Sequence, residues 1–270
     1  MSPPFARKRF GQHFLVQSAV AERIVGLAGL HDDSIVLEIG PGRGALTRLL
    51  APRCRRLVLI EVDRDLAAQL HADFGDRPAV EVIAADVLSV DLRALLGAGP
   101  VTAVANLPYN ISTPVLMRLL DEPERFDRLV LMLQREVAER LCSPPGNKEY
   151  GALSVAVQVV AKPRIALRVP PSAFSPRPQV ESAVVIIEPR RPVALSAAER
   201  RALRHVVRTA FSRRRKQLVN VIAPLTPDPR AVLAALDVDP RRRPETLTPD
   251  DFVRLTAALK VAGEAGDENS

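Results

Sequence analysis

Tryptophan is absent from this chain of 270 residues, and aromatic residues make up only 4% of it. Cysteine is nearly absent too, since Cys54 and Cys142 lie far apart and form neither a metal-binding nor a redox spacing. The histidines are equally scattered, at His13, His31, His71 and His205. The sequence therefore predicts no metal site.

Long hydrophobic runs are also missing. No apolar run approaches the ~18 residues of a membrane-spanning helix, and no signal peptide opens the chain, so we expect a soluble, cytoplasmic protein. A hydrophobic content of 47% supports a real core. The length fits one full α/β domain with a smaller appendage, and we predict a monomer.

The chain is basic, with a formal net charge of +7 and a pI of about 10.1. Such an excess favours a polyanionic partner, either nucleic acid or an acidic membrane surface. An arginine-rich soluble surface would give the same total charge. The positions of the cations therefore carry more information than their sum.

A short β-branched run, Ile35 to Ile39, ends in the sequence Gly40-Pro41-Gly42-Arg43-Gly44. A strand followed by a glycine turn and a helix is typical of nucleotide binding, because glycine lets the backbone approach a ligand closely. Gly40, Gly42 and Ala45 also satisfy the dinucleotide pattern. This motif alone leaves NAD and S-adenosylmethionine as alternatives.

Acidic residues follow the next two predicted strands. Glu61 closes the strand Leu57 to Ile60, where it is placed to accept hydrogen bonds from both hydroxyls of a ribose. Asp86 follows the strand Val80 to Ala84 and is placed to bond an adenine. A solvated loop charge at Glu61 and an N-cap at Asp86 are the alternatives, and the pair fits either cofactor.

The fourth predicted strand, Val101 to Ala105, runs into Asn106-Leu107-Pro108-Tyr109. Pro108 fixes its own φ and keeps Leu107 out of helical geometry, so the chain leaves the strand as an extended loop. The Asn106 carboxamide and the Leu107 carbonyl offer two acceptors for an exocyclic amine, and Tyr109 offers a face for its ring. Acceptors on both N–H bonds favour pyramidalisation and free the nitrogen lone pair for attack.

Four consecutive strand ends thus carry residues suited to ligands, and in an open parallel sheet such ends form one crevice. An NAD enzyme has no use for the loop at 106–109, whereas a methyltransferase needs this whole set. We therefore predict an α/β, Rossmann-like methyltransferase domain that uses S-adenosylmethionine.

A stiff proline-rich loop, Pro170 to Pro178, presents Phe174. We predict that Phe174 is exposed and that, with Tyr109, it sandwiches a flipped-out adenine. The alternative is that Phe174 fills part of the core.

The remainder of the chain predicts a small all-helical domain after a linker at Pro189–Pro192. Ser196 to Ile222 has a helical pattern, and Arg230 to Leu236 and Pro249 to Leu259 add two helices. Cations crowd the face of the first helix opposite its apolar residues, as expected for phosphate contacts: Arg200, Arg204, Arg208, Arg213, Arg214, Arg215 and Lys216.

These patterns predict a methyltransferase domain at residues 1–188, a helical RNA-binding domain at 189–260 and a disordered tail at 261–270. Residues 1–9, which are basic and rich in proline, are predicted to be mobile.

Several longer motifs complete these patterns, at 10–15 (FGQHFL), 38–44 (EIGPGRG), 106–112 (NLPYNIS), 133–141 (LQREVAERL), 174–185 (FSPRPQVESAVV) and 211–216 (FSRRRK). Together they resemble one known family, the small-subunit ribosomal RNA adenine dimethyltransferases (the KsgA family). The similarity extends from Phe5 to Lys260.

The resemblance implies a class I methyltransferase that places two methyl groups on N6 of each of two adjacent adenosines near the 3′ end of 16S rRNA. It implies that a maturing small subunit is the substrate. The positions that it assigns to the cofactor are His13, Leu15, Gly40, Glu61, Asp86 and Asn106. This chain has His13 where many members have asparagine, and it departs mildly at Arg135, Gln179 and Glu181.

Two alternatives share parts of this pattern. A large-subunit rRNA adenine methyltransferase of the antibiotic-resistance type has the same crevice motifs, but residues 174–185 argue against it. A non-catalytic RNA-binding assembly or transcription factor could use the same fold, although the intact crevice motifs favour an enzyme.

Overall fold

The computed structural model describes residues 12–97 and 99–267, with side chains up to residue 259. The predicted mobile segment 1–9 lies outside the described residues. The chain forms two compact units. The first contains the residues up to Ala138 together with Lys162–Arg191, and the second contains Glu139–Ala161 together with the residues from Pro192 onward.

A seven-stranded sheet is the centre of the first unit, and its strand order is β4-β3-β2-β5-β6-β9-β7. Beside it lies a two-stranded antiparallel sheet, β1 with β8. The strands are β1 (Phe14–Leu15), β2 (Ile35–Ile39), β3 (Arg56–Glu61), β4 (Val80–Ala84), β5 (Val101–Asn106), β6 (Phe126–Gln134), β7 (Ala161–Val169), β8 (Phe174–Ser175) and β9 (Ser182–Pro189).

Strands β2 to β6 run parallel, and β9 pairs antiparallel with β6. The chain first builds outward from β2 to β3 and β4, and then crosses to the other side of β2 to form β5. Strands buried on both faces read as continuous apolar runs, and all of residues 101–105 in β5 are buried. The reversal of strand order between β2 and β5 opens a crevice at their carboxyl ends.

Among the described residues, the α-helices that accompany these strands are α1 (Ser18–Leu27), α2 (Thr47–Leu50), α3 (Arg64–Phe74), α4 (Leu92–Leu96) and α5 (Ser112–Leu120). The next helix, α6 (Arg135–Cys142), begins in the first unit and ends in the second. The α1 helix has Gln17 at its N-cap, in extended geometry. The α2 helix has only four residues, because the positive φ angles of Gly42 and Gly44 wind the preceding segment into turns.

The second unit is helical. It holds α7 (Ala152–Gln158), α8 (Ala197–Ser212), α9 (Leu218–Ile222), α10 (Pro229–Ala235) and α11 (Pro249–Asp267). Ser196 and Glu199 form a capping box at the start of α8. The apolar face predicted for this region is confirmed, since Leu203, Val207 and Ala210 are buried in one core with residues of α9 and α11.

The continuous helix predicted from Ser196 to Ile222 is wrong, because residues 213–216 form a turn between α8 and α9. Gln217 is extended, and the Leu218 N–H donates to the Arg242 carbonyl at 2.7 Å. This bond to a distant loop redirects the chain and places the four consecutive cations at the turn.

Two other boundaries differ from expectation. Residues 139–161, predicted to belong with 1–188, pack in the second unit. Residues 261–267, predicted to be a disordered tail, continue α11, where Ala262, Glu264 and Ala265 are good helix formers. Residues 268–270 lie outside the description. In the part of the chain that the structure covers, no helix is long and apolar enough to cross a membrane.

Candidate active site

A cavity of about 220 Å³ opens at the carboxyl ends of β2, β3, β4 and β5. The strand register places these ends level, since Ile39 pairs with both Ile60 and Ala105. The cavity brings together most of the predicted crevice residues. Those that line it are His13, Leu15, Gly40, Gly42, Glu61, Asp86, Asn106, Leu107, Pro108 and Tyr109.

The glycine turn lies against the segment that contains β1. Gly40 and Gly42 have φ angles of 64° and 57°, which side-chain-bearing residues rarely adopt. A Cβ atom at residue 42 would lie 3.1 Å from the Phe14 ring, so the close approach also requires glycine. The Arg43 guanidinium lies 4.4 Å from the centroid of the same ring. Phe14 therefore forms part of the wall, a role that the sequence analysis did not assign.

Glu61 is 4% exposed, and both of its carboxylate oxygens are held by the backbone. Oε2 accepts from the Gly42 N–H and Oε1 from the Asp63 N–H, each at 3.0 Å. Burial raises the pKa of Glu61, and these backbone hydrogen bonds oppose that shift. Each oxygen has a second lone pair, so the group can still accept bonds from two hydroxyls of a ligand.

Glu38 is a second buried carboxyl group on the cavity wall, and the sequence analysis did not select it. Burial raises its pKa to about 8, with a further contribution from the charge of Glu61. The Thr47 hydroxyl donates to its Oε2 at 2.7 Å. The signal in the sequence was an acidic residue inside an otherwise apolar strand, where a charge is costly.

Asp86 lies at the exposed rim of the cavity. Its Oδ1 accepts from the Leu88 N–H at 2.9 Å, so Asp86 caps the turn that follows, which is the alternative given for it above. Val62 and Leu88 line the same part of the cavity and are unusually exposed for large apolar residues. Two apolar side chains beside a carboxylate suit a flat, apolar ring with polar edges.

The loop after β5 is held from several sides. Asn106 Nδ2 donates to the His13 carbonyl at 3.0 Å, and this commits the amide nitrogen and leaves Oδ1 as the acceptor. The Tyr109 hydroxyl shares a hydrogen bond of 2.7 Å with Ser182 Oγ. The rings of Tyr109 and His13 lie 5.5 Å apart, tilted by 31°. Burial raises the pKa of Tyr109, so the phenol stays neutral at ordinary pH.

The predicted exposure of Phe174 is wrong. Its side chain is 2% exposed, belongs to the core of the first unit and does not line the cavity. The reason is β8, which pairs Phe174 with Leu15 of β1 and turns the ring into the core. The alternative, that Phe174 fills part of the core, describes the structure.

The predicted RNA-binding residues belong to the second unit, whereas the residues that line the cavity belong to the first. Arg213, Arg215 and Lys216 are exposed. Arg214 is only half-exposed: its Nη2 donates to the Asn147 carbonyl at 3.3 Å, and its Nε lies 3.9 Å from Glu245. Arg200, predicted on the cationic face, is 6% exposed and donates to the Leu195 carbonyl.

Comparison with known proteins settles the family. The sequence matches the model of the family described as Ribosomal RNA adenine dimethylase over residues 5–260. The chain belongs to this family.

Curated relatives match over nearly the whole length. A protein of Geobacter metallireducens is 43% identical over 266 residues, which cover 96% of this chain and 97% of the relative. A protein of Syntrophotalea carbinolica is 45% identical over 257 residues, covering 94% and 97%. Both are named Ribosomal RNA small subunit methyltransferase A.

Solved structures agree with the fold. A dimethyladenosine transferase from Plasmodium falciparum superposes with a TM-score of 0.82 at 26% identity, covering 93% of this chain and 98% of that one. The 23S rRNA methyltransferase ErmE gives 0.70 at 26% identity, covering 92% and 99%. The predicted Rossmann-like class I methyltransferase fold is confirmed.

Membership of the family identifies the chain as an rRNA adenine dimethyltransferase, and its cofactor is S-adenosylmethionine. The cavity fits this group: Gly40 and Gly42 contribute backbone without side chains to its wall, and Glu61 retains lone pairs for a ribose. Among the described residues, no group of three or more acidic, histidine or cysteine side chains could hold a metal ion. The prediction of no metal site stays a prediction.

Proposed function

We propose that this enzyme dimethylates N6 of two adjacent adenosines near the 3′ end of 16S rRNA, and that it acts on a maturing small ribosomal subunit. The names of its curated relatives support the choice of subunit. The observation that carries the proposal is a single cavity that joins Asn106 and Tyr109 to Gly40 and Glu61.

Seven residues of the cavity are proposed to hold the cofactor, and S-adenosylmethionine supplies the electrophilic methyl group. They are His13, Leu15, Gly40, Gly42, Glu61, Asp86 and Asn106. Glu61 accepts from the ribose hydroxyls, because its two backbone bonds fix the carboxylate and leave lone pairs free. Asp86, with Val62 and Leu88 beside it, forms the site for the adenine ring of the cofactor.

The target adenine is proposed to bind at Asn106, Leu107, Pro108 and Tyr109. Asn106 Oδ1 and the Leu107 carbonyl accept the two N–H bonds of the amine, which makes the nitrogen lone pair available. Tyr109 stacks on the base, and Pro108 holds the loop extended. Positioning of this kind can supply roughly 7–11 kcal/mol of catalysis. Phe174 was predicted to share this role, but its burial gives it none in this arrangement.

Contact with rRNA is proposed to be made by residues 189–260, with Arg213, Arg215 and Lys216 as phosphate contacts. Two further loops adjoin this turn in the second unit. The Leu218 N–H bonds the Arg242 carbonyl, and Arg214 bonds the Asn147 carbonyl. These loops bring more exposed cations to the turn, at Lys148, Arg241 and Arg243. The dense positive charge suits the RNA backbone.

We propose that the chain acts as a monomer in the cytoplasm. Immature small subunits in the same compartment would be the substrate.

Methylation of isolated subunits tests the proposal. Purified protein and labelled S-adenosylmethionine are added to small subunits from a strain that lacks this modification, with large subunits in a parallel reaction. We expect N6,N6-dimethyladenosine at two adjacent positions near the 3′ end of 16S rRNA.

Two results would contradict the proposal. Label in 23S rRNA alone would indicate the antibiotic-resistance type of enzyme. Binding of the cofactor and of the small subunit without product would indicate an assembly factor.

A further inference from the structure

His13 is the residue through which several parts of the cavity wall meet. Its carbonyl accepts from Asn106 Nδ2 at 3.0 Å, its ring packs on Tyr109, and its Nδ1 lies 2.7 Å from the Pro176 carbonyl. The ring and the carbonyl of His13 thus connect the segment before β1 with the loop after β5 and the loop after β8.

The partners of His13 fix its chemistry. Because a carbonyl oxygen only accepts, Nδ1 must carry the proton and donate to Pro176, which defines the tautomer and the plane of the ring. The tilted ring contact then supports one part of Tyr109, while Ser182 holds the phenol hydroxyl. Two separate contacts leave the Tyr109 ring little freedom to turn.

The backbone of His13 acts on Asn106. Since the Asn106 amide nitrogen is already committed to the His13 carbonyl, the carboxamide cannot flip without losing that bond. Only Oδ1 remains available as an acceptor. The orientation of the group that is proposed to hold the target amine is therefore set by residue 13.

We propose that His13 is a positioning residue for the adenine-holding loop, in addition to any contact with the cofactor. The inference rests on the proposed roles of Asn106 and Tyr109. An asparagine at this position could still donate to the Pro176 carbonyl but has no ring to pack on Tyr109. The substitution therefore removes the ring contact and can keep the hydrogen bond.

The variant His13→Asn isolates the ring. With saturating cofactor and small subunits from a methylation-deficient strain, we expect the single-turnover rate to fall about three- to tenfold, the range that an aromatic pair represents. Cofactor affinity by calorimetry should fall less than the rate does, because asparagine keeps a polar side chain at a position proposed to touch the cofactor, and the melting temperature should stay close to wild type. His31→Asn, at an exposed histidine of the same unit, is the matched control and should leave the rate unchanged.

A double-mutant cycle with Tyr109→Leu decides how His13 acts. If the ring works through Tyr109, His13→Asn has no further effect in the Tyr109→Leu background, and that result supports the inference. If the two effects multiply, or if His13→Asn weakens cofactor binding without slowing the single turnover, the inference is overturned while the proposed function stands. A full rate in Tyr109→Leu alone overturns both the role of Tyr109 and the inference.

Discussion

The cavity of the first unit and the basic turn of the second differ in how firmly their polar side chains are held. In the cavity, backbone N–H groups fix the Glu61 carboxylate, the His13 carbonyl fixes the Asn106 amide, and little of Glu61 is exposed. At the basic turn, Arg213, Arg215 and Lys216 are exposed to solvent, whereas Arg214 contacts the Asn147 carbonyl and Glu245 of the same unit.

The difference follows from what each region is proposed to bind. A small cofactor and one flipped base require acceptors at fixed positions, so the side chains that hold them are oriented before the ligand arrives. A phosphate backbone attracts cations by its negative charge, so exposed arginine and lysine side chains can bind it without fixed orientations. Single substitutions should therefore cost much in the cavity, and the basic turn should respond to the number of charges removed.

The largest effect is expected for Asn106→Ala. Loss of one preorganised acceptor typically lowers turnover by about 10²–10³-fold, and the His13 carbonyl also loses its donor. Single-turnover methylation of small subunits measures the change. Asn220→Ala, at an exposed asparagine of the second unit, is the control. A loss of less than about threefold, well below that range, would remove Asn106 from the proposed site.

The basic turn should respond through its salt dependence. Replacing Arg213, Arg215 and Lys216 together by alanine should lower the slope of log affinity against log salt by about 2–3 units, at about 0.7–0.9 for each phosphate contact. The exposed arginines Arg23, Arg55 and Arg93 of the first unit provide a control with the same loss of charge.

Cofactor affinity shows whether the basic-turn variant is folded. A slope like that of wild type in a folded variant would contradict the phosphate contacts. Arg214→Ala alone should change the slope little and should lower thermal stability, because its partners lie within the second unit.

Glu61→Ala should weaken S-adenosylmethionine binding by about 30-fold, because two ribose bonds at a net ~1 kcal/mol each are lost. The N–H groups of Gly42 and Asp63 also lose their acceptor. Calorimetry measures the affinity, and Glu22→Ala on an exposed face of α1 is the control. Unchanged affinity would place the cofactor elsewhere.

Glu38→Gln should change how stability depends on pH. The folded protein keeps the Glu38 proton up to a pKa of about 8, whereas the unfolded chain releases it near 4.5. Wild type therefore loses stability as the pH rises between those values, and the loss levels off above the upper one. The amide does not titrate, so the melting temperature of the variant minus that of wild type should increase as the pH rises from 4.5 to about 8. A constant difference would mean that Glu38 ionises normally in the fold.

Phe174→Leu should have the smallest effect. A modest change of shape in the core costs about 1 kcal/mol of stability, and the methylation rate should stay near wild type because the ring does not line the cavity. Thermal unfolding and single-turnover rates measure both. A slow but fully stable variant would restore the original hypothesis that Phe174 stacks on the base.

Much of the cavity could be predicted, because the direction of the strands determines which of their ends lie together. Buried parallel strands are readable as apolar runs, and their carboxyl ends must meet at one edge of the sheet, so Gly40, Glu61, Asp86 and Asn106 converge. Two-residue strands such as β1 and β8 have no periodicity to read. Their pairing, which decides the burial of Phe174, therefore could not be predicted from the sequence.

The remaining differences come from long-range contacts. The break between α8 and α9 depends on a backbone bond to Arg242, and the role of Ser182 depends on its distance from Tyr109 in the fold. The secondary-structure propensities of neighbouring residues predict neither of these contacts. Glu38 is different, because a carboxylate within an apolar strand was visible and could have been selected.

The pairing of β1 with β8 sets an order for synthesis. His13 and its partner Pro176 are 163 residues apart, and a ribosome delivers the earlier one long before the later. The equilibrium penalty for closing so long a loop grows only slowly with its length, so the consequence is one of timing. The nascent chain can form the central parallel strands first. It can complete the wall that orients Asn106 only when the residues around Pro176 have emerged, so the enzyme gains a working site late in its own translation.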